Sequence, residues 1–212
     1  MYLFMDKASG ACLRFIVSCL LAVVAMSFLS SCGTSIREIR RDYDREAAAL
    51  AELDLVEVLA GREPDAILAE AFSHARCAWK EKALFSMSDH SRTVIDHTYD
   101  AGSRRLTLTE LYDAGLYIDR DCLIYIKISA ELPECRVRIS PPDMLGAVHC
   151  YAVRILCKAG SCIKVDRLTR TVKDGAVVEE SEVHEHHAMW EVLFADRDAA
   201  VDAYAALRTL AE

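Results

Sequence analysis

An apolar run near the amino terminus constrains this chain more than any other stretch. It extends from Phe15 to Leu29 and follows two basic residues, Lys7 and Arg14. A helix needs about 20 apolar residues to cross the hydrocarbon core of a membrane, and this run is shorter. Its length and its basic flank are typical of the hydrophobic region of a secretory signal peptide. We therefore expect residues 1–31 to be a leader that directs export.

The segment Leu29-Ser30-Ser31-Cys32 directly after this run resembles the lipobox of bacterial lipoproteins. The resemblance implies cleavage before Cys32, a diacylglycerol on its sulfur and an acylated amino terminus. Each buried methylene would add about 0.8 kcal/mol, so several acyl chains hold firmly in a bilayer. Gly33 stands where aspartate favours inner-membrane retention in Gram-negative bacteria, so the outer membrane is expected. An ordinary signal peptide or an uncleaved membrane helix is the alternative.

The mature chain would be acidic. The whole sequence carries a net charge of −8, and loss of Asp6, Lys7 and Arg14 with the leader makes it −9. This charge argues against a nucleic-acid partner and against docking on anionic lipid headgroups. No second stretch is long and apolar enough to span a membrane, so attachment would depend on Cys32.

Six cysteines remain after the leader and the lipidated residue. An even number in an exported chain permits a disulfide framework with 15 possible connectivities, whereas buried free thiols are the alternative. The sequence does not decide which of them pair: Cys77, Cys122, Cys135, Cys150, Cys157 and Cys162.

One pair has favourable spacing, because Cys157 and Cys162 flank a short turn. We expect them to face each other across a ladder and to form a disulfide. Strict alternation of side chains conflicts with this disulfide, because it places Cys157 on an apolar face of its strand and Cys162 on a charged face of the next strand. A bulge at Gly160 would resolve the conflict; otherwise the pairing is wrong.

Residues 32–87 are predicted to form a tether and a helical hairpin. A first amphipathic helix would run from Ile36 to about Ala60, with Gly61 ending it and Pro64 opening the second. The second helix would carry an apolar stripe made of Ile67, Leu68, Ala71, Phe72, Ala75, Ala78 and Trp79. The hairpin would pack on its own domain or serve as a stalk.

Residues 88–212 show the alternation of strands. Turns are predicted at Asp100-Ala101-Gly102, Asp113-Ala114-Gly115 and Asp174-Gly175, and a final amphipathic helix after Asp196. The last strand, an alternating run, would end in Trp190, Val192 and Phe194. The predicted fold class is α+β: a helical hairpin, then seven or eight mostly antiparallel strands in a barrel or sandwich, then a capping helix.

Two segments carry a resemblance to bacterial pleckstrin-homology-like domains of unknown function. They are residues 153–163 and, near the end, Leu193-Phe194 with residues 205–210. The resemblance covers about residues 88–211 and implies a PH-like barrel. Its first hairpin offers only Arg104 and Arg105, beside Asp100, where lipid-binding relatives use several basic residues. We therefore expect this chain to share the fold of these domains but not the phosphoinositide binding of some of them.

Glu182, His184 and His186 alternate, so one face of a strand would present them together. Such a set could hold Zn²⁺ or Cu²⁺, whereas a charged strand edge that discourages edge pairing is the plainer interpretation. Asp89-His90-Ser91 contains triad residue types, but real triads are assembled from distant segments.

The sequence thus predicts a membrane-anchored envelope lipoprotein. It would be a non-enzymatic binding or scaffolding module that needs no cofactor and has an envelope protein as a possible partner. The alternative is an envelope metal-binding protein that uses Glu182, His184 and His186.

Overall fold

The computed structural model describes residues 36–83, 86–116, 121–144 and 148–212. The chain divides into two compact units, Met1–Asp44 and Arg45–Glu212. The predicted leader, Cys32 and Gly33 lie outside the described residues. Within the described ranges, no helix is long and apolar enough to cross a membrane.

Three helices precede the sheets in the described part of the chain, not the predicted two. Helix α1 covers residues 36–51, and the division between the units falls within it. Helix α2 (Leu55–Leu59) is separate because the Asp54 carboxylate accepts the backbone N–H groups of Val56 and Glu57 and starts a new turn. Helix α3 (Pro64–Ser73) has proline in its first turn, as predicted. The expected helix to Ala60 is therefore interrupted.

Strand structure begins earlier than the sequence predicted. Strand β1 (Arg76–Ala83) contains Ala78 and Trp79, which the prediction had placed on the second helix. The prediction failed because the residues from 76 to 80 fit period 2 as well as period 3.6. Eight residues of β1 pair with β2 (Ser86–Asp100), and this pairing stabilises the strand over the helix.

Nine strands form two antiparallel sheets in the described residues. The large sheet has the order β1-β2-β3-β4-β7-β8, and the small sheet has the order β5-β6-β9. The remaining strands are β3 (Arg105–Leu116), β4 (Asp121–Glu131), β5 (Cys135–Ser140), β6 (Tyr151–Cys157), β7 (Ile163–Lys173), β8 (Ala176–His187) and β9 (Met189–Phe194). Helix α4 (Arg197–Ala211) closes the chain. The predicted α+β class and the terminal helix are confirmed.

Two of the three predicted turns are present. Asp100 accepts the N–H of Gly102 at 2.9 Å, and Asp174-Gly175 joins β7 to β8 with φ values of 50° and 78°. The third prediction, Asp113-Ala114-Gly115, is wrong because β3 continues to Leu116 and pairs there with Asp121 of β4. The register between β3 and β4 shifts between Asp113 and Leu116, so the strand continues through an irregularity and not a turn.

The alternating run before α4 is two strands in different sheets. Strand β8 belongs to the large sheet and β9 to the small one, with Ala188 between them. Likewise β6 and β7, which the sequence suggested as ladder neighbours, belong to different sheets. Alternation along paired strands therefore does not apply to Cys157 and Cys162, and the apolar and charged faces predicted for them do not prevent their disulfide.

The main core lies where the sheets and helices α3 and α4 meet. We call the face of the large sheet that carries Leu106, Leu108 and Ile128 the inner face; all three are buried. Phe72 of α3 stacks on Phe194 of β9 with ring centroids 6.4 Å apart. Helix α4 contributes seven of its buried residues to the same core: Ala199, Ala200, Ala203, Tyr204, Ala206, Leu207 and Ala211.

Candidate functional site

A buried ion pair occupies the inner face of the large sheet. Leu106, Leu108, Glu110 and Tyr112 alternate along β3, so the carboxylate of Glu110 points to the same side as the core leucines. Arg92 on β2 reaches it, and its Nε donates to Glu110 Oε2 at 2.6 Å. The side chain of Glu110 is 1% exposed and that of Arg92 is 15% exposed.

The small sheet completes this network. The Arg92 guanidinium lies 4.7 Å from the centroid of the Trp190 ring and donates to the backbone carbonyl of Glu191 at 2.7 Å. Trp190 Nε1 donates to the second oxygen of Glu110 at 3.4 Å. One ion pair thus joins β2, β3 and β9, and it fixes the Trp190 ring between the sheets.

Burial raises the pKa of Glu110, and the charge and hydrogen bond of Arg92 oppose that rise. Removing a charge from water costs several kcal/mol, so such a pair is retained only where both partners are well bonded. Both carboxylate oxygens of Glu110 are bonded here.

Three half-buried aromatic rings lie beside this pair on the inner face. Trp79 of β1 is the register partner of His90 on β2, and Tyr112 follows Glu110 on β3. Their ring centroids are 5.7, 5.8 and 6.0 Å apart and their planes lie within 14° of parallel. In a column, the outer rings would be about twice as far apart as neighbours. The rings therefore form a triangle, which we call the aromatic cluster.

The aromatic cluster combines apolar ring faces with polar atoms. Tyr112 Oη and His90 Nδ1 are 3.0 Å apart, which fixes the two rings relative to each other. Ligand sites are mostly apolar surfaces with a few well-placed polar groups, and aromatic rings lose little conformational freedom on binding. Chemically, the cluster is suited to hold the flat or apolar face of a ligand.

Glu182, His184 and His186 alternate along β8, so strand geometry places them on one face, as predicted. Asp166 is the register partner of His184 on β7, and its Oδ1 lies 2.7 Å from His184 Nδ1. Glu182 Oε1 is 3.8 Å from the other ring nitrogen. Within the described part of the chain, no three His, Cys, Asp or Glu side chains are arranged to hold a metal ion.

The triad residue types at positions 89–91 are adjacent on β2 but engage different neighbours. Asp89 forms an ion pair with Lys80 at 3.4 Å, whereas His90 belongs to the aromatic cluster. Alternation points Asp89 and His90 to opposite faces of the sheet. The geometry does not bring these residues together.

The described residues contain two disulfides. Cys157 and Cys162 are bonded, with Cα atoms 5.6 Å apart. Cys77 is bonded to Cys150 across 73 residues, a pairing that the sequence left open. Cys122 and Cys135 are free thiols.

The sequence did not predict that Arg92, Glu110 and Trp190 form one group. One signal was present: Glu110 occupies an inward position in a strand that alternates from Leu106, and a charged residue there requires a partner. The identity of that partner, Arg92, depends on the register of β2 against β3, which includes a bulge between Val94 and Asp96.

None of the protein-family models, curated proteins or solved structures compared with the chain matches it.

Proposed function

We propose that the chain is an exported lipoprotein, anchored by acylated Cys32, whose folded part is a non-enzymatic binding module of the bacterial envelope. The observation that carries the proposal is the sequence of residues 15–32: a basic flank, an apolar run too short to span a membrane, and Leu-Ser-Ser-Cys. In a Gram-negative cell, Gly33 favours the outer membrane over the inner one.

The two disulfides support export. Disulfides persist in oxidising compartments such as the periplasm and are rare in a reducing cytosol. Cys77–Cys150 joins β1 to the segment before β6, and Cys157–Cys162 spans the passage from β6 to β7. A chain that contained both bonds in the cell would have folded outside the cytosol.

The aromatic cluster is the proposed binding surface. Trp79, His90 and Tyr112 are half-buried and supply ring faces, while the buried pair of Arg92 and Glu110 holds β2 and β3 in register beside them. The proposed ligand is an envelope component with a flat or apolar face. The pleckstrin-homology-like relationship belongs to the same proposal, and it rests on the sequence resemblance of residues 88–211.

Metabolic labelling with a radioactive fatty acid tests the anchor. Label should enter the wild-type protein and be lost in Cys32→Ala, which should then leave the membrane fraction. Cys12→Ala, within the predicted leader, is the matched control and should be labelled like the wild type. Label retained by Cys32→Ala, or an intact first methionine on the mature chain, would overturn the proposal.

Tryptophan fluorescence tests the binding surface. The chain has two tryptophans, so Trp190→Phe leaves Trp79 as the sole reporter. Titration with a flat amphipathic probe, anilinonaphthalene sulfonate, should change Trp79 emission, and Tyr112→Ala should weaken binding by up to about tenfold. Tyr125→Ala is the control because Tyr125 alternates onto the opposite face of the sheet. Equal affinities in the two alanine variants would reject this surface.

A further inference from the structure

Three cysteines meet where the chain passes from the small sheet to the large one. Cys135 of β5 is the register partner of Cys157 at the end of β6. Its Sγ also lies 3.6 Å from the Sγ of Cys162, which is already bonded to Cys157. The free thiol therefore contacts the disulfide.

The backbone places Cys135 directly opposite Cys157 in the ladder. The N–H of Lys158 donates to the carbonyl of Glu134 at 2.8 Å, a bond that flanks Cys135 and Cys157 and makes them a non-hydrogen-bonded pair. Side chains in such pairs lie closer than in hydrogen-bonded pairs, and their Cβ separation suits a disulfide. Cys135 can thus exchange with either member of the existing bond.

Exchange has a preferred direction. The backbone N–H of Cys162 donates to Cys157 Sγ at 2.8 Å. A donor at that sulfur stabilises the negative charge that develops when Cys157 leaves, and a better-stabilised thiolate leaves faster. Attack by Cys135 on Cys162, the sulfur 3.6 Å away, releases this stabilised group.

The surroundings keep the attacking thiol protonated. Cys135 is 1% exposed, and burial raises its pKa to about 11. The charge of Glu134 adds to the rise and that of Lys158 opposes it. Because the thiolate is the nucleophile, exchange is slow near neutral pH.

We propose that Cys135, Cys157 and Cys162 form a thiol–disulfide exchange site in which the bond moves from Cys157–Cys162 to Cys135–Cys162. Cys135 loses its proton to solvent, and its sulfur electron pair forms the new bond to Cys162. The Cys157–Cys162 bond breaks, and its electron pair leaves with Cys157, which takes up a proton. No external oxidant or reductant is consumed.

Exchange moves the reactive thiol from a buried to a half-buried position. Cys157 is more exposed than Cys135, so after the step it can react with small thiols, disulfides or electrophiles. The new bond closes a loop of 27 residues instead of 5. This inference concerns the chemistry of the cluster and does not depend on lipidation or on the aromatic cluster.

Disulfide mapping tests the proposal on the purified full chain. Samples incubated between about pH 7 and pH 10 are quenched in acid, alkylated with a maleimide and digested with pepsin. Peptides joined through Cys135–Cys162, with Cys157 alkylated, should form at a rate that rises about tenfold per pH unit. Their absence at every pH, or equal alkylation of Cys157 in Cys135→Ser, would overturn the proposal.

Trapping variants and a control complete the experiment. Under mild oxidation, Cys157→Ser should form the Cys135–Cys162 bond, and Cys162→Ser should form Cys135–Cys157; failure of both would overturn the proposal. Cys122→Ser should leave the exchange rate unchanged. Entry of Cys122 into disulfides at the same rate would show scrambling through unfolding and would also overturn it.

Discussion

Cys157 and Cys162 are bonded although the strands that they flank lie in different sheets. Cys157 ends β6 in the small sheet, and Cys162 immediately precedes β7 in the large one. Their disulfide therefore crosslinks the segment that connects the two sheets and does not join the two strands of a hairpin. Gly160, with a φ of 62°, supplies the left-handed residue that so short a passage uses.

The two disulfides should differ in their contribution to stability. Loop-closure entropy predicts that replacing Cys77 and Cys150 with alanine lowers the free energy of unfolding by about 4 kcal/mol, and replacing Cys157 and Cys162 by about 2 kcal/mol. The reason is the sequence separation, 73 residues against 5. Urea unfolding under non-oxidising conditions measures both. Equal losses would show that native-state contacts, not chain entropy, determine the effect.

Replacing only one partner of the buried ion pair should strongly lower the free energy of unfolding. Arg92→Met should lower the free energy of unfolding by about 3–5 kcal/mol because it leaves Glu110 buried and unpaired, and Arg92→Met with Glu110→Leu should recover most of the loss. Urea unfolding again gives the values. A double variant no more stable than Arg92→Met would contradict this.

A surface ion pair provides the control for that cycle. Arg105 of β3 and Glu131 of β4 form an ion pair at 2.7 Å, but each side chain is about half exposed. Replacing either should change the free energy of unfolding by less than about 1 kcal/mol. A loss as large as that of Arg92→Met would mean that burial does not explain the difference.

Asp196 should stabilise helix α4 by capping. Its carboxylate accepts the N–H of Ala199 at 2.9 Å. Asp196→Ala should cost about 1 kcal/mol in thermal or urea unfolding, and Asp196→Asn should cost less because the amide oxygen can accept the same bond. Asp198→Ala removes a charge from the same turn without the cap and should cost about 0.3–1 kcal/mol.

His184 should control the titration of Asp166. Its hydrogen bond is the largest cause that lowers the pKa of Asp166 below 3.8, with Lys164 adding to it. In His184→Ala, this pKa should rise towards 3.8, whereas His186→Ala should leave it nearly unchanged. Carbon-detected NMR across acidic pH follows the carboxyl resonance.

The same bond gives a pH dependence of stability. A lowered carboxyl pKa means that the folded state binds the proton less tightly than the unfolded chain does. Its contribution is therefore complete above the ordinary pKa and is lost as pH falls through the folded value. Wild type should lose more stability than His184→Ala below about pH 4.

Calorimetric titration with Zn²⁺ on the same variants tests the metal alternative.

Local features of this fold were predictable from sequence. The turn at Asp100, the left-handed pair at Asp174-Gly175 and the cap at Asp196 depend on residues a few positions apart, so side-chain chemistry nearly determines them. Alternation in β5 was equally clear, with Cys135 and Val137 buried and Arg136 and Arg138 exposed.

Sheet membership was not predictable, because it depends on contacts between distant segments. Nothing local distinguishes β8 from β9, yet they lie in different sheets. Pairing of Cys77 with Cys150 and of Arg92 with Glu110 likewise follows from register and packing. The helical stripe extended to Trp79 failed for the same reason, since β2 supplies the ladder that makes residues 76–83 a strand.

A single residue, Ala188, connects β8 of the large sheet to β9 of the small sheet, and its carbonyl accepts the N–H of Cys157 at 2.8 Å. One inserted or deleted residue there would turn Trp190 and its alternate neighbours away from the core. Natural variants of this protein should therefore differ in length at the exposed Asp174-Gly175 hairpin and keep a constant length at Ala188.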